Sequence, residues 1–232
     1  MAEDSADITL ILPPEKRRAT ETLGEFVHRR LRHAIMTGRI SPGRALTIRG
    51  LAAALGVSAM PVREAMRRLV AEQALELLDN RRVRVAPMTP SRFEALVEAR
   101  VLLEREAAIR ALKYADAPAL SMLRRLDAED DAAVAKGDIE RAIEANFAFH
   151  RALYMLSPGD ALTPLIESLW LQIGPFMRAA LANLAVHYHA DRHAEALEAI
   201  ETKNAAALAD AIEADIRDGI GHLAASGALL AA

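Results

Sequence analysis

Four side chains in the second half of the chain could hold a divalent metal ion. Asn146 and His150 are four residues apart, so a helix would place both on one face, and His193 and Asp215 fall in later segments. Imidazole and carboxylate groups suit zinc, nickel, manganese or iron, and the core of a helical bundle can bring such ligands together. The spacing alone leaves another interpretation open, in which His150 is a hydrogen-bonded core histidine and Asp215 is an exposed helix charge.

A second group of polar residues, nearer the N-terminus, is typical of a surface that binds DNA. Ser58 is a good N-cap and Pro61 is tolerated in a first helical turn, so a helix is predicted to begin here with a small, polar end that can approach base edges. Backbone amides at that end could also hold a phosphate. The alternative is that the arginines of this group form only a solvated helix surface. The residues predicted to contact DNA are Arg49, Ser58, Met60, Pro61, Arg63, Arg67, Asn80, Arg81 and Arg82.

The elements that must position this second group are short. Apolar residues at helical spacing predict a helix over about residues 21–38, a second that ends at Gly56, and a third that begins after Ser58. A short helix, a turn through glycine and a basic second helix are typical of a helix-turn-helix. Alternating residues on both sides of the turn at residues 79–81 then predict a two-stranded wing.

The elements that must position the four metal-ligating candidates are helices. Helical periodicity continues from about residue 91, with breaks near residues 115–118, 136–138, 157–160, 190–191 and 203–204. These breaks divide this part into about six helices, and no strand pattern is found. The predicted fold class is therefore mainly α, with an N-terminal winged helix-turn-helix and a C-terminal all-α helical bundle of about six helices.

Composition and charge limit the functions open to the protein. The 232 residues contain no cysteine, which excludes disulfides, thiolate metal sites and cysteine nucleophiles. No apolar run approaches the roughly 20 residues of a membrane span, and the acidic N-terminus is unlike a secretory signal, so we expect a cytoplasmic protein with no membrane partner. Residues 1–90 carry 15 Lys and Arg against 10 Asp and Glu, whereas residues 91–232 carry 14 against 22. This division predicts a basic module joined to an acidic one near Pro87 and Pro90.

The N-terminal part resembles the winged-helix domain of GntR-type transcriptional regulators. The resemblance is carried by residues 40–46, by Leu51-Ala52 with Leu55-Gly56-Val57-Ser58, and by the run from Pro61 to Leu69. It implies a homodimer that binds a palindromic operator in double-stranded DNA, with Arg49 and Arg63 at positions that contact DNA in the family.

This chain departs from the family pattern at two places in that region. Ala59 stands where an arginine usually follows the serine, and Asn80-Arg81 stand where the tip of the wing usually carries glycine. Because a base-reading arginine is missing, the usual operator sequence of the family is not expected, whereas DNA binding itself is.

The C-terminal part resembles the FCD ligand-binding domain, which occurs in the FadR branch of GntR regulators. The likeness is carried by residues 98–104, by Asn146 with residues 149–153, and by the segment from His193 to Ile200. In many members an aspartate and three histidines bind a divalent metal, which helps to hold a small carboxylate effector. His150 and His193 match two of those histidines, while Asn146 stands at the aspartate position and Asp215 at the position of the last histidine.

The resemblance therefore implies a metal site of Asn146, His150, His193 and Asp215, with no organic cofactor. It also implies that Arg100, His150 and His193 bind the effector. A guanidinium fork suits a carboxylate, and the alternative for Arg100 is an ordinary salt bridge with Glu104 one helical turn away.

We expect a ligand-responsive, DNA-binding transcriptional regulator, a repressor of a catabolic or transport operon and not an enzyme. The alternative is a metal-dependent all-α enzyme with an accessory N-terminal domain, which would leave the first 85 residues without a role and lacks a His-Glu-x-x-His motif. The predicted domains are a flexible N-terminal tail over 1–19, a winged helix-turn-helix over 20–86, a linker over 87–91, an FCD-like effector domain over 92–226 and a C-terminal tail over 227–232.

Overall fold

A computed structural model describes residues 11–78, 82–159, 161–181, 192–220 and 223 of the chain. The chain divides into two compact units, one of Met1–Pro87 with Leu171–Phe176, and one of Met88–Trp170 with Met177–Ala232. Within the described residues, no helix combines the length and the hydropathy that crossing a membrane would require.

The described part of the first unit includes three helices whose ends are fixed by local signals: α1 (Leu23–Met36), α2 (Ile48–Leu55) and α3 (Ala59–Ala71). Helix α1 begins with a capping box, in which the Thr22 hydroxyl accepts from the Glu25 amide and the Glu25 carboxylate accepts from the Thr22 amide. Helix α2 ends at Gly56, which has the left-handed backbone (φ 64°) that glycine adopts without strain. The helix-turn-helix prediction is therefore confirmed.

A small antiparallel sheet completes this unit. It consists of β1 (Ala45–Leu46), β2 (Leu75–Leu77) and β3 (Val83–Val85), in the order β1-β3-β2. Leu75 pairs with Val85 and Leu77 pairs with Val83, so the predicted two-stranded wing is present. The strand β1 was not predicted, because two residues are too few to show an alternating pattern.

The leading segment, for which the sequence predicts a flexible tail, makes contacts in the part that the structure describes. Ile11 and Leu12 are buried, and the Glu15 carboxylate lies 2.6 Å from Arg29 and 3.1 Å from Arg30 of α1. Arg30 also donates to the carbonyl oxygen of Pro13. These contacts anchor residues 11–15 on the winged-helix unit.

The described part of the second unit is helical, as predicted. Its helices are α4 (Pro90–Leu112), α5 (Ala117–Ala135), α6 (Ile139–Tyr154), α7 (Thr163–Leu181, of which residues 171–176 are grouped with the first unit), α8 (Arg192–Glu201) and α9 (Ala205–Ile220). The side chains of Thr89, Asp116 and Asp138 accept from backbone amides at the starts of α4, α5 and α6. Because α4 begins at Pro90, the predicted linker at 87–91 includes its first two residues. The predicted break at 190–191 lies outside the described residues.

Three helix pairs build the core that positions the candidate site. Helix α5 packs on α6, α4 packs on α9, and α8 packs on α9. The largest fully buried side chains in this unit include Trp170, Tyr154, Phe149 and Ile143. The four predicted metal-ligating residues therefore lie on helices that face a common interior: two on α6, one on α8 and one on α9.

Candidate functional site

The exposed face of α3 carries most of the residues predicted to contact DNA. Its apolar stripe of Val62, Ala65, Met66 and Leu69 is buried, which turns Met60, Arg63 and Arg67 outward, with Met60 63% exposed. Arg49 of α2 and Ser58 are also exposed. Pro61 is buried in the first turn of α3, so its side chain does not reach this face. Asn80 and Arg81 lie outside the described residues, whereas Arg82 is described and exposed.

Three cations of this face are without a charge partner in the part of the chain that the structure describes. Among the described residues, Arg49, Arg63 and Arg67 have no ion-pair or hydrogen-bond partner. A folded protein that leaves several guanidinium groups solvated on one face keeps them available for phosphate or for base edges.

Ser58 occupies the N-cap position of α3, as predicted. Its backbone has the extended conformation of an N-cap (φ −73°, ψ 164°), and its side chain makes no capping hydrogen bond. The serine hydroxyl therefore has no capping role at the exposed end of the helix.

The structure brings the metal-ligating candidates of the second unit together in its interior. The Nε2 atom of His150 lies 2.9 Å from Asp215 Oδ2 and 3.4 Å from Nε2 of His193, which in turn lies 4.0 Å from Asp215 Oδ1. All three residues are buried, and one ligand atom from each lies within 4.8 Å of the others. Donors that bind one ion at about 2.1 Å lie roughly 3 to 3.5 Å apart, so this donor set fits a divalent metal.

Asn146 stands beside this group. Its amide nitrogen lies 3.3 Å from His193 Nε2. Rotation of the amide by half a turn exchanges the positions of its nitrogen and its oxygen. In the exchanged orientation the amide oxygen faces the site and can act as a neutral ligand.

Outer partners fix the orientation of both imidazoles. His150 Nδ1 lies 3.2 Å from the Tyr154 hydroxyl, and His193 Nδ1 lies 3.2 Å from Asp127 Oδ1. The ring of His193 also stacks on Phe149 at 4.0 Å between centroids. Because the Nδ1 atoms are engaged in this way, the Nε2 atoms point inward, which is the arrangement found behind metal-binding histidines.

The charges of the site act strongly on one another. Burial raises the pKa of Asp215, but His150 and His193 outweigh it and hold this pKa at about 2. For His193, burial lowers the pKa, and the neighbouring Asp127 and Asp215 carboxylates raise it by more. Burial raises the pKa of Asp130, on α5, to about 7. The carboxylate of Asp215 is thus in the form that a cation requires.

A buried ion pair lies next to the metal-ligating group. Arg100 of α4 is 6% exposed and donates through Nε to Glu104 Oε1 at 2.6 Å. Glu104 is fully buried and also accepts from the Tyr154 hydroxyl at 2.9 Å and from Trp170 Nε1 at 3.0 Å. This is the salt bridge that the sequence offered as the alternative role of Arg100, but its complete burial distinguishes it from an ordinary surface pair.

A cavity of about 140 Å³ adjoins both groups. His193, Asp215 and Asn146 form one part of its wall, and Arg100 forms another. Asp130 and Asp131 of α5 also line it, and the remaining wall is apolar, formed by Val134, Ala142, Ile143, Met177, Ile216, Gly219 and Ile220. The cavity therefore combines a metal-ligating group, a cation, two further carboxylates and an apolar surface.

The sequence offered Glu104 only as the partner of Arg100 in an ordinary salt bridge, without its burial. Asp127 and Asp130 were not identified from the sequence. Asp127 and Asp130 belong to an acidic stretch of α5 that looks like a solvated face, and only the fold shows that it turns toward His193.

Comparison with known proteins identifies the class. Residues 23–85 match the bacterial regulatory proteins of the gntR family, and residues 95–218 match the FCD domain. The chain is 32% identical over 192 residues to the HTH-type transcriptional regulator McbR of Escherichia coli K12, with 83% of each chain covered. It is 28% identical over 141 residues to the uncharacterized HTH-type transcriptional regulator YdhC of Bacillus subtilis, covering 60% of this chain and 63% of that one.

Solved structures agree with this result. The structure of E. coli McbR/YncC matches with a TM-score of 0.81 at 28% identity, covering 88% of this chain and 98% of that chain. A putative GntR regulator from Rhodococcus sp. RHA1 matches with a TM-score of 0.70 at 25% identity, covering 86% and 96%. The chain belongs to the GntR family of bacterial transcriptional regulators and carries an FCD domain. Because these relatives are regulators, they confirm the prediction of a DNA-binding regulator and oppose that of a metal-dependent enzyme.

Proposed function

We propose that this regulator binds a palindromic operator as a homodimer and represses a catabolic or transport operon. A small carboxylate effector enters the cavity of the FCD domain and lowers the affinity for the operator. The observation that carries this proposal is that one chain combines a solvated arginine face on α3 with a cavity whose wall contains His193, Asp215 and Arg100.

The α3 face supports binding to duplex DNA. Arg63 lies one turn from the exposed N-terminus of the helix, a position from which a recognition helix contacts base edges in the major groove. Arg67 lies one turn further on, and Arg49 lies on the preceding helix, where phosphate contacts fix the orientation of the protein. Ser58, Met60 and Arg82 complete the described part of the proposed surface, and Asn80 and Arg81 are proposed as its remainder.

The buried donor group supports binding of a divalent ion. His150, His193 and Asp215 would hold it, with Asn146 as a neutral fourth ligand. Once bound, the ion supplies positive charge to which a carboxylate can bind directly. Zinc, nickel, manganese and iron all accept nitrogen and oxygen donors of this kind.

The chain's own residues support capture of the carboxylate. Arg100 lines the cavity and holds a fixed guanidinium, because Glu104 engages its Nε atom. Burial of this arginine strengthens its attraction for an anion that enters the cavity. The effector can lower the operator affinity only if it binds the conformation with low operator affinity more tightly than the conformation with high operator affinity.

The test begins with the untagged full-length protein purified without chelators. Its metal content is compared with that of His150→Ala, His193→Ala and the matched surface control Asp210→Asn. We expect stoichiometric metal in the parent and in the control, and little in either histidine variant. Absence of metal from the parent after incubation with zinc, nickel or manganese would contradict the metal part of the proposal.

Operator binding and release are tested on the same preparation. A duplex is selected from a random pool with the full-length protein, and its affinity is measured by fluorescence anisotropy with and without small carboxylates. We expect selection of an inverted repeat and at least a tenfold loss of affinity with one carboxylate at saturation. If no carboxylate that binds the protein changes its operator affinity, the proposed regulation is wrong.

A further inference from the structure

The outward face of α3 combines an apolar side chain with cations. Met60, Arg63 and Arg67 are spaced by three and four residues, so the helix places them in one row along its surface. All three are exposed. Met60 is 63% exposed, although a methionine side chain gains free energy when it is removed from water. The row therefore begins with a solvated apolar group and continues with two guanidinium groups.

Met60 is not part of the core on which α3 packs. That core contains the other methionine of the helix, Met66, which is only 3% exposed. Ala59 precedes Met60 and is also exposed. Neither Ala59 nor Met60 has a nitrogen or oxygen atom in its side chain, so the contacts that the two side chains make with a ligand are apolar.

The charge around Met60 matches duplex DNA as that ligand. Arg63 and Arg67 continue its row, Arg49 is exposed on the preceding helix, and none of the three has a charge partner among the described residues. Guanidinium groups in this state bind phosphates and base edges. The helix also lies within the segment that matches the gntR family of regulatory proteins.

One base offers an apolar group to such a side chain. The C5 methyl group of thymine projects into the major groove, where the other three bases present hydrogen-bond donors and acceptors. The first residues of a recognition helix are those that contact base edges, and Met60 is the second residue of α3. A methionine side chain is unbranched and polarisable, so it adapts its shape to a small apolar contact.

We propose that Met60 is a specificity-determining residue that recognises a thymine, through its C5 methyl group, in each half-site of the operator. Ala59 leaves space for this contact because its side chain ends at Cβ. Arg63, one turn along the row, contacts a neighbouring base pair through hydrogen bonds. This inference rests on the proposed function, since it names a base that the recognition helix selects.

The test first removes the methyl group from the DNA. A duplex is selected with the full-length protein, and each thymine of the half-sites is replaced in turn by deoxyuridine, symmetrically in both half-sites. This exchange keeps every hydrogen-bonding group of the base. Loss of one methyl contact corresponds to about fourfold in affinity, so a symmetric pair should lose roughly tenfold or more. We expect this loss at one pair of positions, measured by fluorescence anisotropy, and less than about twofold at the others.

The test then removes the thioether from the protein. Met60→Ala should bind the thymine operator roughly tenfold more weakly than the parent and should lose nothing further when the critical thymines become deoxyuridine. Met60→Leu, which keeps an apolar side chain, should retain part of the preference for thymine. The matched control is Met155→Ala, at a methionine 52% exposed on the helical unit, which should behave as the parent does. The affinity of every variant for a scrambled duplex should stay within about twofold of the parent.

Three results would overturn the inference: selected half-sites without thymine, a parent affinity that no deoxyuridine lowers, or an equal loss on deoxyuridine in the parent and in Met60→Ala. If one of these is found while the parent still prefers the selected duplex to a scrambled one, the proposed operator binding stands and only the role of Met60 is wrong. If the parent selects no sequence at all, both the inference and the proposed operator binding are wrong.

Discussion

Arginines on the exposed face around α3 differ from most arginines of the helical unit. On the recognition helix and the helix before it, Arg49, Arg63 and Arg67 have no partner among the described residues. In the helical unit, most arginines are paired with carboxylates of the same unit: Arg100, Arg105, Arg110, Arg124, Arg141, Arg151, Arg178, Arg192 and Arg217.

The difference separates two kinds of charge that composition alone does not distinguish. A guanidinium held by a carboxylate is neutralised locally and offers little to a polyanion, whereas a solvated guanidinium can displace counterions from DNA. The net charge of −3 hides this contrast, because the excess of acidic residues lies in the second part of the chain, where most arginines are already paired. Partner binding is therefore better inferred from which charges lack a partner than from how many there are.

The largest effect is expected from Glu104→Gln, which removes the carboxylate of the buried ion pair with Arg100 in the helical unit. This change leaves the buried Arg100 without a counter-charge and places amide hydrogens either against the Tyr154 donor or against the Arg100 and Trp170 donors, which use the other oxygen. We expect the free energy of unfolding of the helical unit to fall by about 3–5 kcal/mol. Trp170, the only tryptophan, reports the unfolding by fluorescence during a urea titration.

The control is Glu106→Gln, whose pair with Arg110 is half exposed and should be worth less than about 0.5 kcal/mol. Equal effects of the two substitutions would refute the distinction.

The matching test of the exposed arginine face is Arg63→Ala, which removes one guanidinium from the proposed DNA-binding surface. Loss of a base contact should cost about 1–3 kcal/mol of operator affinity and much less on unrelated DNA. The control is Arg217→Ala, an exposed arginine that is paired with Glu213 at 2.8 Å and should change operator affinity less than twofold. The measurement is anisotropy on selected and scrambled duplexes at one salt concentration. A parallel loss on both duplexes would mean that Arg63 contacts phosphate rather than bases.

A smaller effect is expected from Asp127→Asn. This variant tests whether the carboxylate behind His193 increases the affinity of the helical unit for a divalent metal ion. The asparagine still accepts from His193 Nδ1 but no longer supplies a negative charge behind the ring. We expect zinc affinity to fall about tenfold, at the lower end of the range for outer partners of ligands. Competition with a chromogenic chelator measures this, and an unchanged affinity would contradict the role of Asp127 as an outer partner of a metal-binding His193.

The smallest expected effect belongs to Arg67→Ala. A phosphate contact contributes equally to all sequences, so operator affinity should fall only a few-fold and specificity should be retained. The slope of log affinity against log salt should decrease in magnitude by about 1. A salt slope identical to that of the parent would place Arg67 outside the DNA interface.

The local elements of the fold were predictable because their signals are local. The start of α3, the glycine that ends α2 and the six helices of the second unit follow from capping residues and periodicity. Periodicity also indicated that Asn146 and His150 share a face, and the resemblance to FCD domains grouped them with His193 and Asp215.

What the sequence did not show depends on packing between distant segments. Glu104 is buried because Tyr154 and Trp170, which are 50 and 66 residues away, donate to it. Asp127 meets His193 across a similar separation of 66 residues. Acidic residues on a helix are usually solvated, and no local pattern marks those that tertiary contacts draw inward.

The measurement that tests the account most directly is the specificity ratio of the full-length protein and of Arg63→Ala. The affinity for the selected operator duplex is divided by the affinity for a scrambled duplex at physiological salt. The account predicts a ratio of at least about 10³ for the parent, as is typical of specific regulators, and a clear decrease for Arg63→Ala. A parent protein that binds both duplexes equally would contradict the assignment of the solvated arginine face to operator recognition.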